Sequence, residues 1–355
     1  MNPTTTAESP ASGVAAPPSG SNGARAKSAA GAMLGRGHLL SRWGVIATYL
    51  LMLVIFTIAR PETFPTVSNF RGMINQTPVM ILFACAVSLV LLCGEFDISF
   101  PYFTDLATVV LAVIVSGGAL AGGQSVAVAI VAALLLTAVA GVANGLLVAK
   151  LGVSSFVTSL VTGFVAGGIT LALQGYLPDG AVQLSVVQMP DALQTLGTGE
   201  IPGLGLQWPV LIAVVAALVA WFVLRRTVSG RRLHAIGGNA RAAELAGVPV
   251  ARLRIYAFVA VGLFAGIAGI INAGQIGYIN GISPPLLLQS YTAAFLGAAV
   301  LGYRRFHIGG AVFAVIFLAT LANGLSLMGQ PAWIVSVISG AVLLVAVLTS
   351  RVRQR

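Results

Sequence analysis

Residues 225–254 read RRTVSGRRLHAIGGNARAAELAGVPVARLR. This strip carries seven arginines against one acid, Glu244. On both sides the chain is almost free of charge for a helix length or more. An arginine at mid-bilayer costs about 2.5–3.5 kcal/mol on insertion scales, so the strip belongs in water. Its positive charge places it on the cytoplasmic side. Inside it the ends of a short helix are legible. Asn239 is a suitable N-cap, since its side chain can accept from the free N–H groups of a first turn. Ala240 to Ala246 is alanine-rich and favours helix. Gly247 can take the left-handed conformation beyond the last turn, and Pro249 blocks continuation. The helix offers small residues, Ala242, Ala243 and Ala246, which suits close docking to another protein.

The 355 residues around this strip are 57% hydrophobic and only 8% charged, with a mean hydropathy of +0.97. A soluble domain of this size carries far more charge. Repeated apolar runs near the length of a bilayer crossing imply an all-α polytopic membrane protein. The runs are continuously apolar rather than alternating, which excludes a transmembrane barrel. The net charge of +10 is not a nucleic-acid footprint, because the arginines fall between apolar runs. Cys85 and Cys93 share one apolar run and read as small buried side chains. His38, His234 and His307 are scattered, and no Cys/His cluster marks a metal site.

Ten spans are expected: about 43–59, 76–93, 101–118, 125–149, 154–175, 208–224, 255–273, 286–302, 309–328 and 332–349. Pro78 near the start of the second sits where a missing N–H costs least. Residues 1–35, rich in Ser, Ala, Gly, Pro and Thr, are expected to be a disordered cytoplasmic N-terminus. No signal peptide is expected, because the first apolar run lacks an A-x-A exit and is long enough to span. Residues 36–350 form the membrane domain, with 225–254 as its cytoplasmic loop and 351–355 as a basic cytoplasmic tail. With both termini inside, 17 of the 19 Lys and Arg residues fall on one face, and only Arg60 and Arg71 fall outside. Changing the count by one span would scatter the downstream group across both faces. Residues 176–207 hold Asp179, Asp191 and Glu200, no basic residue and three prolines. They read as an extracytoplasmic loop with room for a short surface helix.

Ala143-Asn144-Gly145-Leu146 recurs as Ala322-Asn323-Gly324-Leu325, 179 residues and five spans later. Five is odd, so the two five-helix halves would be inverted relative to each other, as in many transporters. Gly141/Gly145, Gly163/Gly167 and Gly262/Gly266 are GxxxG steps that let helices approach closely. The spacing leaves open whether the partner helix is in this chain or in a second copy.

No G-x-x-x-x-G-K-[ST] occurs, so the chain has no P-loop of its own. It lacks a nucleophile elbow or zinc motif, so a membrane-embedded enzyme has nothing behind it. Gly94-Glu95-Phe96-Asp97-Ile98-Ser99-Phe100-Pro101 breaks the apolar pattern with two carboxylates. One reading is a discontinuous helix lining a pathway, with Glu95, Asp97 and Ser99 as polar lining. The other is a cytoplasmic turn in which Asp97 or Ser99 caps the next helix. Asp105, deeper in the third span, needs a wet or paired site. Asn144, Asn272, Gln275, Gln289 and Asn323 lie in or near spans. Their amides can bond sugar hydroxyls or bridge helices.

Gly230-Arg231-Arg232, Ala235-Ile236-Gly237-Gly238-Asn239, Ala242-Ala243 and Gly247 resemble the cytoplasmic loop of permeases in the ribose/xylose/galactose-type ABC importer family. Phe96-Asp97-Ile98-Ser99 is similar to that family's G-[GE]-[IF]-D-L-S segment, and Asn144-Gly145-Leu146-Leu147-Val148 to its N-G-L-L-V span end. Asn323-Gly324-Leu325 and the basic tail also fit. The resemblance covers about residues 40–355. It departs at Phe100-Pro101-Tyr102, where the family usually has small residues. It implies a permease subunit, without catalytic activity, in the cytoplasmic (inner) membrane, importing a monosaccharide or related polyol. The loop residues Gly237, Gly238, Asn239, Arg241, Ala243, Glu244 and Gly247 would dock a cytoplasmic ABC ATPase. That partner would bind ATP and Mg, and this chain would bind no cofactor. A periplasmic or lipid-anchored sugar-binding protein would deliver the solute, and a second permease copy would complete a homodimer within membrane lipid, with no nucleic-acid partner. The candidate pathway residues are Glu95, Asp97, Ser99, Asp105, Asn144, Asn272, Gln275, Gln289 and Asn323. The alternative is a proton-coupled secondary transporter relaying protons through Glu95, Asp97 or Asp105.

Overall fold

The computed structural model describes residues 45–116, 125–300, 306–331, 333–338, 340–341 and 344. The expected disordered start and basic tail lie outside these residues. Among the described residues before 333 there are thirteen α-helices: α1 (Val45–Ala59), α2 (Val67–Asn75), α3 (Pro78–Leu92), α4 (Phe100–Val115), α5 (Val126–Ala149), α6 (Ser155–Gln174), α7 (Asp191–Thr198), α8 (Trp208–Arg226), α9 (Val228–Gly238), α10 (Ala240–Leu245), α11 (Val250–Ile276), α12 (Leu287–Val300) and α13 (Ile308–Leu327). Five of them, α5, α6, α8, α11 and α13, are individually long and apolar enough to cross a membrane. The pair α2 and α3 forms a sixth candidate bent by 51°. Each of the first nine expected spans overlaps one of these helices, and the tenth falls only partly within described residues.

Sheet structure among the described residues is confined to two antiparallel two-residue strands, β1 (Gln183–Leu184) and β2 (Tyr278–Ile279). They join the 176–207 segment to the end of α11. In the same segment α7 lies against α11, where Gly197 and Gly274 meet backbone to backbone. A short helix was expected here, and its residue Leu193 is fully buried.

The helices sort into a buried centre and a peripheral shell. In α3 every residue from Ile81 to Val90 is buried, so it has no amphipathic face. In α11 two-thirds of the most apolar window is buried. By contrast α5 leaves Val131, Leu135 and Val139 exposed, and α6 leaves Phe164, Val165 and Leu171 exposed. Apolar side chains facing outward fit a hydrocarbon surround, in which helix association rests on close packing rather than on escape from water. The glycine steps supply that packing. Gly141 and Gly145 on α5 press on the backbone at Phe258 and Ile255 of α11, and Gly262 and Gly266 press back on Thr137. These two steps are therefore satisfied within the chain. Gly163 and Gly167 instead seat the ring of Tyr102.

Depth along the bundle is readable from two hydrogen bonds. Thr104 Oγ1 donates to the Ala265 carbonyl at 3.1 Å and Thr108 Oγ1 to that of Gly269 at 3.2 Å. Ala265 is 15 residues into α11, or about 22 Å from its start at 1.5 Å per residue. So α4 begins well inside the bundle, and the Gly94–Ser99 segment enters it from the end that carries residues 225–254.

Candidate translocation site

Two segments outside the α-helices run into the bundle, one ahead of the 16-residue α4 and the other ahead of α12. The first, Gly94–Ser99, precedes α4. Gly94 adopts a φ of +77° where the chain leaves α3. Asp97 and Ser99 are buried, and Asp97 Oδ1 accepts from the Ser99 N–H at 2.7 Å and the Ser99 hydroxyl at 2.6 Å. Asn144 of α5, fully buried, donates to Ser99 Oγ at 2.9 Å. Asp97 thus satisfies the N-terminus of α4, the capping role the residue types permit, while Ser99 makes no side-chain cap bond. Tyr291 of α12 closes the node: its hydroxyl donates to the Asp97 carbonyl at 2.6 Å and accepts from the Asp97 N–H at 3.2 Å. Glu95 turns away and pairs with Arg254 of α11 at 2.8 Å.

The second segment, residues 277–286, precedes α12 and enters from the opposite end. Its Ser283 N–H donates to Asp105 Oδ1 at 3.2 Å, and Asn272 donates to Ser283 Oγ at 3.4 Å. Asp105, Ser283 and Asn272 are all buried. Each segment therefore places a serine N–H on an aspartate, meeting the demand that backbone at membrane depth be paired within protein. A sequence signal for this went unread: Ile98-Ser99-Phe100-Pro101 recurs as Ile282-Ser283-Pro284-Pro285, with prolines where α4 and the turn before α12 begin.

A cavity of about 440 Å³ opens beside the α2/α3 bend. Its polar lining is Gln76, Thr77, Gln289, Asn323 and Ser326, and the rest is apolar, including Met80 and Leu318. Among the described residues no charged side chain lines it. Asn323 and Asn69 exchange two amide hydrogen bonds at 3.0 and 3.1 Å, which fixes both side chains at this wall. Of the nine candidate pathway residues, Gln289 and Asn323 reach this cavity. Asp97, Ser99 and Asn144 form one node, and Asp105 and Asn272 form the other. Gln275 joins the ends of α2 and α11, donating to the Asn75 carbonyl at 3.3 Å and to Gln207 at 3.4 Å. Sequence reasoning missed Asn69, Gln76, Thr77, Ser326 and Tyr291. Asn69 lies in the short helix α2, outside the expected spans, and Gln76, Thr77 and Ser326 lie at the ends of expected spans.

The 225–254 strip folds as two helices and the start of a third. Thr227 caps α9 by accepting from the Gly230 N–H at 3.2 Å. Asn239 ends α9 and caps α10, accepting from the Ala242 N–H at 3.0 Å. Gly247 has a φ of +81°, as its place after the last turn requires. Gly237 lies so close to the Leu92 carbonyl that a side chain there would overlap it, whereas Gly238 faces open space. Ala243 is buried, and Arg241, Ala242, Glu244, Leu245 and Ala246 are exposed. Arg241 and Glu244 pair at 3.1 Å on this exposed face, a contact worth little stability in water. The small-residue face thus splits, with Ala243 inward and Ala242 and Ala246 outward.

Residues 69–347 match a family model described as "Branched-chain amino acid transport system / permease component". The chain is 29% identical over 317 residues to the ribose import permease protein RbsC of Escherichia coli strain K12, covering 89% of this chain and 95% of that protein. It is 29% identical over 318 residues to the L-arabinose ABC transporter permease protein AraH of Azospirillum brasilense, with 89% of each covered. It is 32% identical over 314 residues to the autoinducer 2 import system permease protein LsrC of Enterobacter sp. strain 638, with 87% of each covered.

Proposed function

The chain belongs to the family of ABC-importer permease components whose model it matches, and from that premise we propose that it carries a monosaccharide or related polyol inward, driven by ATP hydrolysis in a separate ATPase subunit. The observation that carries the substrate class is the lining of the α2/α3 cavity. Among the described residues, amides and hydroxyls alone supply its polar side-chain contacts. Such groups can exchange hydrogen bonds with a neutral, hydroxyl-rich solute. A zwitterionic amino acid would bring two charges into a wall with no charged partner, at a desolvation cost of several kcal/mol per ion. The relatives named for ribose and arabinose import support the same class.

In this reading the exposed face of α10 docks in the ATPase, with Glu244 and the loop arginines at the contact. A binding protein delivers solute at the opposite face, where the 176–207 segment lies. Two permease copies pair, and the five-helix halves of each chain, oppositely threaded, rock around the two entering segments. Glu95, Asp97 and Asp105 hold structure together through the ion pair and N–H bonds described above rather than relaying protons.

The test is uptake by proteoliposomes holding the permease, its ATPase and its binding protein. Radiolabelled ribose, L-arabinose and leucine are offered in parallel. Uptake of a sugar that needs Mg-ATP and stops with vanadate is the expected result. Replacing residues 237–244 with a neutral linker is expected to abolish co-purification of the ATPase. Leucine uptake alone would overturn the substrate class. Uptake that survives vanadate but collapses with a protonophore would overturn the energy source.

A further inference from the structure

We infer that Tyr291 is a positioning residue that transmits movement of the 225–254 loop to the wall of the cavity. The inference rests on the function proposed above. Four contacts make the chain of transmission. Gly237 of α9 abuts the Leu92 carbonyl at the end of α3. Three residues past that end, Glu95 is paired with Arg254 at the root of α11. Phe96, next in line, stacks on the ring of Tyr291 with centroids 4.6 Å apart and planes 9° from parallel. Asp97 then gives both its backbone groups to the Tyr291 hydroxyl.

No other side chain in the described residues grips this segment through ring and hydroxyl together. A tyrosine hydroxyl can donate and accept at once, so one atom answers both the N–H and the C=O of a buried residue. On α12, Gln289 lies two positions earlier and lines the cavity. Two residues on a helix are about 200° apart at 3.6 residues per turn. Tyr291 and Gln289 therefore face opposite sides, and α12 stands between the Gly94–Ser99 segment and the cavity. A segment pulled by the loop moves α12 through Tyr291, and α12 moves Gln289. Ser155 anchors the segment from its other side, accepting from the Phe96 N–H at 3.0 Å, so the tyrosine grip is specific to α12.

Tyr291→Phe removes the hydroxyl and keeps the stacked ring. The permease assembled with its ATPase is subjected to hydrogen exchange, with and without Mg-ATP and vanadate. In the wild type, peptides covering 94–99 and 287–300 are expected to change protection together. In the variant the nucleotide response of 94–99 is retained and that of 287–300 falls. Solute moved per ATP is expected to drop about three- to tenfold, the range one net hydrogen bond spans. Ribose and L-arabinose serve as probes in the same vesicles. A variant with both responses and the wild-type ratio overturns the inference. If the variant does not assemble, the wild type alone decides: a response confined to one of the two peptides overturns it. Failure of wild-type uptake of either sugar would count against the proposed function, and is read separately from the exchange.

Discussion

At Gly262 even a methyl group has nowhere to go. A side chain there would overlap the Thr137 carbonyl of α5, which is backbone and cannot rotate away. Gly238, twelve residues before the start of α11, faces open space with an ordinary φ. Gly262→Val is therefore expected to destabilise the protein by about 1–3 kcal/mol or more, as overpacking does. Gly238→Ala should stay within about 0.5 kcal/mol. Thermal unfolding in detergent separates the two. Both glycines are equally visible in the sequence. Gly262 could be suspected from its four-residue spacing to Gly266, but the letters do not say which helix fills the groove. The polar residues were similarly half-legible. Asp97 and Ser99 stood out as charge and hydroxyl in an apolar run. Tyr291 did not, because an aromatic on an apolar helix looks like packing until its hydroxyl is found on a distant backbone.

The 225–254 strip shows which elements could be read and which could not. The short helix α10 was legible because its cap, its alanines and its closing Gly-Pro pattern are local chemistry. The preceding helix α9 was not. Its sequence VSGRRLHAIGG has no apolar stripe of any length and ends in two glycines, so it reads as loop. It folds because Leu233 and Ile236 are buried and Gly237 allows contact with α3. Likewise α2 is only nine residues with a charge at Arg71, and it becomes helix by leaning on α13 and α8. Asn239→Ala is expected to remove the α10 cap at a cost of about 1 kcal/mol, and to weaken co-purification with the ATPase. Asn239→Asp keeps the acceptor and is expected to restore it. Equal co-purification of all three proteins would separate the cap from docking.

For the whole molecule, the apolar runs and arginine placement were enough for a helical membrane bundle, because bilayer thickness and charge cost act on any sequence alike. They did not reveal that two helices start inside the bundle. That depends on which tertiary partners satisfy a broken backbone. The threading is tested with single cysteines on a background where Cys85 and Cys93 are already buried. Ser229 and Val182 are exposed at opposite ends of the bundle. A membrane-impermeant maleimide is expected to label Val182→Cys in intact cells and Ser229→Cys only in inverted vesicles. Labelling of Ser229→Cys from outside would reverse the assignment of both faces.

The two buried serine–aspartate stations lie close together. Asp105 follows Ser99 by six residues on α4, or about 9 Å of helix. Phe100 and Phe103 fill that interval and are almost wholly inaccessible. We expect the barrier of the proposed carrier to lie in this interval, little more than a turn and a half of α4, within a film some 30 Å thick. A carrier built this way has a fragile gasket. Thinning it with Phe103→Val should let ions seep across resting, solute-free vesicles, which a voltage-sensitive dye would register as a decaying potential.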